Sequence, residues 1–111
     1  MSFSEDIQEY LDYIVDKITE VMPVTAIYLF GSYATGNTHE YSDIDLYIVT
    51  PDKSHDRHAW AVKAAKAIGV TKKIPIDLKV NYTEGFEQRS KMKFSLENII
   101  LETGVNLYEK R

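Results

Sequence analysis

Apolar residues recur at Ile7, Tyr10, Leu11, Ile14, Val15, Ile18, Val21 and Met22, an i, i+3, i+4, i+7 spacing without a miss. That period predicts an amphipathic helix of about five turns, opening at Ser2 or Ser4 and stopped by Pro23. Val24–Phe30 (VTAIYLF) is β-branched and aromatic and reads as a buried strand ending at Gly31, with a loop through Gly36, Asn37 and Thr38 behind it. Asp43–Thr50 (DIDLYIVT) alternates: Asp43, Asp45 and Tyr47 share one face, Ile44, Leu46 and Ile48 the other, and Pro51 closes the run. Ser54 is the expected cap of a helix over His55–Ile68, which Gly69 ends. Ile74–Val80 (IPIDLKV) alternates again, with Asp77 and Lys79 opposite four aliphatic residues. Thr83–Thr103 reads as two helical pieces, the second capped by Ser95, and Val105–Tyr108 as a short strand or extended tail.

The order α-β-β-α-β-α-(α)-β, with aliphatic side chains on one face of both acid-bearing strands and carboxylates on the other, predicts an α+β fold. Its expected form is a small mixed sheet with helices packed on the aliphatic face and a polar face left open. At 111 residues the chain fits one domain, 1–111, large enough to bury a core without staples. No repeat, linker or low-complexity run divides it.

The absence of cysteine removes disulfide scaffolds, thiolate metal sites and cysteine nucleophiles from consideration. No apolar stretch is long enough to span a bilayer, and Met1–Tyr10 holds three acids and no base, unlike a signal peptide. The expected location is therefore cytoplasmic. A net charge of −4 disfavours a dedicated nucleic-acid binder. The charge is nevertheless uneven: the first 52 residues carry one base and ten acids, −9, and the rest twelve bases and seven acids, +5. Such a split fits a site where acids hold cations beside bases that meet an anion, although two ordinary solvated faces would produce it as well.

Asp43 and Asp45, at i and i+2 of a strand, point to the same side with about 6–7 Å of backbone between them. Two fixed anions so close either bind a cation or raise one pKa. Hard carboxylate oxygens suit Mg²⁺, which fills its other positions with water and phosphate oxygens. Gly31-Ser32, directly behind a strand, lets backbone approach a ligand, and N–H groups following it can cradle an anion. Gly31–Thr38 nearly spells a P-loop, but Asn37 stands where that motif needs lysine, so the P-loop reading fails. Asp77 joins the pair if its strand neighbours theirs, and three carboxylates around one point can hold two divalent ions for phosphoryl or nucleotidyl transfer. His55 and His58 lack a third metal ligand, His39 reads as a loop residue, and Trp60 and the eight tyrosines read as core and interface.

Together, Gly31-Ser32, ten intervening residues, Asp43-Ile44-Asp45 within Ser42–Leu46, and the later Asp77 resemble the polymerase-β type nucleotidyltransferases, most nearly the minimal nucleotidyltransferases of prokaryotes. The resemblance implies that Asp43 and Asp45 hold Mg²⁺, two ions in all. It further implies that Asp77 completes the metal site and helps activate an acceptor hydroxyl, and that Gly31 and Ser32 meet the phosphates of an NTP, ATP by preference. Members often carry arginine between the motif's alanine and second glycine, where this chain has Thr35. Lys72, Lys73 and Lys79 are candidate substitutes for that cation.

A chain this short leaves little to enclose an acceptor, so the acceptor surface is expected from another protein or a second copy. The resemblance implies a HEPN-domain partner, for which minimal nucleotidyltransferases act as antitoxins by adding AMP to a tyrosine. Two alternatives stand beside this reading. One is a catalytically weakened protein that neutralises its partner by occlusion; the other is transfer to a small molecule of the aminoglycoside type.

Overall fold

A computed structural model describes residues 3–39, 42–69 and 74–110. Helix α1 (Glu5–Val21) starts at Ser4, whose hydroxyl accepts the N–H of Ile7. Its apolar stripe, Leu11, Ile14 and Ile18 above all, is fully buried. Strand β1 (Ala26–Phe30) leads through Gly31 into one helical turn, α2 (Ser32–Thr35), and then to β2 (Ile44–Thr50). Helix α3 (Arg57–Ile68) is followed by β3 (Ile76–Tyr82), α4 (Thr83–Ser90), α5 (Leu96–Thr103) and β4 (Val105–Glu109).

The four strands form one mixed sheet in the order β3-β2-β1-β4, with β2 and β3 parallel and both neighbours of β1 antiparallel to it. Ile27 and Leu29 of β1, with Ile44, Leu46 and Ile48 of β2, turn to the face that α1 and α3 close. These side chains show no solvent exposure, and their burial is the main stabilising term, about 25 cal/mol for each Å² of apolar surface removed from water. Tyr10 and Tyr13 tie α1 down at its margin, donating to the carbonyls of Ile74 and Ile68.

The α+β class and the mixed sheet match expectation, with three local differences. First, α3 is capped by Asp56, not Ser54: Asp56 Oδ1 accepts the N–H of Ala59 at 2.7 Å, whereas Ser54 is held in an Asx-turn by Asp52. Second, β3 begins at Ile76, because Pro75 has no N–H for the ladder; only its carbonyl takes part, accepting from Ile44. Third, the second face of the sheet is open at one end only. Helices α4 and α5 cover the other, where Phe86 stacks on Tyr28 and meets Tyr47 edge-on, with ring centroids 5.3 and 5.2 Å apart, and Ile100 completes a second small core.

Candidate active site

The parallel register of β2 and β3 sets Asp45 directly beside Asp77, on strands spaced about 4.8 Å apart. Asp43 lies one residue before β2. All three are on the second face of the sheet, at the end that α4 and α5 leave open, with Asp43 and Asp77 exposed and Asp45 half-buried. The aliphatic alternation that closes the core therefore fixes the acids as well: a one-residue slip of either strand would drive its carboxylates into the apolar layer.

Gly31 sits against this group. Phe30 pairs with Asp45 across β1 and β2, and Gly31 follows with φ +77°, a left-handed conformation that favours glycine. A Cβ here would collide with Asp45 Oδ2 and lie 3.3 Å from its Cγ. Glycine thus serves two needs at once, the backbone reversal out of β1 and close approach to a carboxylate. Ser32 opens α2, whose turn closes by N–H groups of Ala34 and Thr35 donating to the Gly31 carbonyl. The Thr35 hydroxyl folds back onto the same carbonyl at 3.3 Å and accepts from Asn37, so it is engaged within the turn.

The electrostatics tie the three acids together. Burial pushes the pKa of Asp45 above the ordinary carboxylate value, the charges of Asp77 and Asp43 push it further, and Lys79 pulls it back. Lys79, two residues beyond Asp77 and exposed, is the candidate cation that the structure places near the acids. Lys72 and Lys73 lie outside the described residues.

Among the described residues, no three His, Cys, Asp or Glu side chains meet closely enough to form a ready-made metal ligand set. The donor chemistry is nonetheless that of a hard divalent cation: carboxylate oxygens side by side, one with a raised pKa that a cation would reverse. Asp43, Asp45 and Asp77 are the residues that would hold it. His55 offers no second centre, since its ring packs on Trp60 and its Nδ1 meets the Ser54 hydroxyl.

Sequence reading missed a second polar constellation on the same face. Tyr47, next inward from Asp45, donates to Glu97 Oε2 of α5 at 2.7 Å, and Arg89 of α4 donates to the other carboxylate oxygen at 3.0 Å. Burial alone would raise the pKa of Glu97. The bonds from Tyr47, from backbone N–H and from Arg89 outweigh it, and the net direction is down. Tyr47 is pushed well above its usual range by burial and by that carboxylate. The available signal was an acid at position 97 inside the apolar stripe of Leu96 and Ile100, which implies a buried partner.

Against known proteins, residues 7–104 match the family described as Nucleotidyltransferase domain. A comparison with curated proteins returns no match. Among solved structures, the chain is similar to a toxin–antitoxin complex crystallised with AMP-PNP, at 25% identity and TM-score 0.55, covering 91% of this chain and 74% of that one. It also shares its fold with a glutamate-for-aspartate double mutant of the toxin–antitoxin pair MntA–HpeT (23% identity, TM-score 0.54, 91% and 74% covered). A third structure with this fold is a Sulfolobus solfataricus protein assigned as a nucleotidyltransferase (18% identity, TM-score 0.58, 99% and 93% covered). With the family matched over most of its length, and a glycine turn packed against paired aspartates, the chain belongs to the nucleotidyltransferases.

Proposed function

We propose that residues 1–111 act as one Mg²⁺-dependent unit that transfers AMP from ATP to a hydroxyl on a partner protein. The observation that carries this reading is Asp45, its pKa raised by burial and then by Asp77 and Asp43, with Gly31 packed against its carboxylate. Like charges are held together at a stability cost where a site must bind a cation or move a proton. The toxin–antitoxin neighbour crystallised with AMP-PNP supports an adenine nucleotide and a polypeptide acceptor. The partner class is a HEPN-domain toxin, and the setting the cytoplasm; no described helix is long and apolar enough to cross a membrane.

In this reading Asp43, Asp45 and Asp77 would hold the divalent ions, which when bound neutralise phosphate charge and orient the reacting oxygens. The glycine turn at Gly31 and Ser32 lets the triphosphate approach with no Cβ in the way. Asp77, exposed at the open end, takes the proton as the acceptor oxygen attacks the α-phosphorus. One P–O bond forms to the acceptor, the bond to the pyrophosphate breaks in line, and pyrophosphate leaves with the electron pair. The acids face solvent on one side, so the acceptor enters from the partner.

The test is purified protein with Mg²⁺, labelled ATP and the protein encoded beside it. Label is expected on that protein with wild type and none with Asp43→Asn or Asp45→Asn. Thr35, which brings no cation where many members have arginine, favours a second reading, neutralisation by occlusion. Equal neutralisation by wild type and an Asp43→Asn/Asp45→Asn double variant would decide for it.

A further inference from the structure

Two residues beyond the acids, the same strands supply Tyr47 and Lys79 to a groove of about 640 Å³. This groove passes over β3 from the start of α3 to the α4–α5 pair, and its walls include Arg57, Lys79 and Arg89. Of its acids, Glu97 is already engaged by Tyr47 and Arg89, and Asp56 by the cap of α3. With Glu97 and Arg89 cancelling as a pair, Arg57 and Lys79 stand against the single carboxylate of Asp56, so the groove carries a slight positive excess in a chain whose net charge is −4.

Three observations identify what fits it. The groove lies on the β3 side of Asp45, whereas the glycine turn lies on the β1 side, so the two flank the acids from opposite directions. Its floor includes three consecutive residues of β3, Leu78 to Val80. β3 is an end strand, and among the described residues no strand pairs with its outer edge. Outward N–H and C=O groups on an edge strand accept an extended peptide as an added strand, with alternate side chains read by the flanking walls. A nucleic acid has no backbone to pair with such an edge.

We infer that this groove seats an acidic, extended stretch of the acceptor polypeptide along β3, bringing its hydroxyl to the Asp45–Asp77 pair from the side opposite the nucleotide phosphates. The inference rests on the function proposed above but is tested without nucleotide, so the two can fail separately. Arg57 and Lys79 supply the exposed charge, and Arg89 is held in the wall by its ion pair with the buried Glu97.

The experiment measures fluorescence anisotropy of a labelled synthetic peptide bearing one tyrosine flanked by Asp and Glu, beside a matched peptide flanked by Lys. Wild type is expected to bind the acidic peptide preferentially, more weakly as salt rises. An Arg57→Glu/Lys79→Glu variant, both positions exposed, should bind it about tenfold more weakly, the effect of reversing two rim charges. Lys79→Gln should fall between, and Lys17→Glu on α1 should match wild type. Equal binding by wild type and the double reversal overturns the inference. So does a single-stranded RNA oligomer that binds more tightly than the acidic peptide and is lost in the same variant.

Discussion

Asp45 and Glu97 project onto the same side of one sheet, and their environments drive them in opposite directions. Glu97 is almost fully buried, yet donors from Tyr47 and Arg89 saturate both of its oxygens and lower its pKa. Asp45 is half-buried, and its pKa rises first through that burial and then through the charges of Asp77 and Asp43. The two differ because Glu97 has donors to set against its burial, whereas Asp45 has like charges that add to it. Glu97 holds α4 and α5 on the sheet. Burial and like-charged neighbours disfavour the ionised form of Asp45, and a cation bound beside it would oppose both.

The sharpest way to break the contrast is to remove charge at Asp45. Asp45→Asn should lower nucleotidyl transfer by about three orders of magnitude, the scale of losing a preorganised charge at the reacting centre. The same change should raise the melting temperature at pH 7. The sign follows from linkage: with its pKa raised, folded Asp45 keeps its proton where the unfolded chain has lost it, so stability falls as pH climbs through that window. The gain from Asp45→Asn should accordingly shrink as pH falls through the raised folded value and be gone below the ordinary carboxylate value.

Glu97 should behave inversely. Its stabilisation is present above the ordinary carboxylate value and is lost as pH falls through its lower folded value. Glu97→Ala should cost about 2–4 kcal/mol in denaturant unfolding, since it leaves the buried Tyr47 hydroxyl without its acceptor.

Gly31→Ala tests the close approach of the glycine turn to Asp45. A Cβ forced onto Asp45 at positive φ should cost about 1–2 kcal/mol of stability and should reduce transfer as well, because Asp45 must move. The smallest effect is expected at Phe94, which adopts φ +66° and is 91% exposed. Phe94→Gly should raise stability by up to about 1 kcal/mol, relieving left-handed strain without losing packing.

The period of α1 and the alternation of Asp43–Thr50 were readable because each residue's face follows directly from its spacing. The same alternation placed Asp45 and Asp77 on one face, but their side-by-side register depends on β2 pairing in parallel with β3, a long-range choice no local window contains. Capping at Asp56 over Ser54 was decided by competition between two residues two positions apart: Asp52 holds Ser54 by its N–H and the Ser54 hydroxyl meets His55, leaving Asp56 to cap. The cover of α4 and α5 over the second face was illegible for a different reason. Tyr47 reads as part of the polar face until a partner carboxylate arrives from fifty residues away.

The proposed site requires Asp43, Asp45 and Asp77 to act as one electrostatic unit that takes a cation. Carbon-detected NMR titration of the aspartate side chains tests it most directly, with and without Asp77→Asn and with added Mg²⁺. Asp45 is expected to titrate above an ordinary aspartate, to move back toward it in Asp77→Asn, and to drop below it when Mg²⁺ is present. An Asp45 that titrates normally and responds to neither change would contradict that requirement.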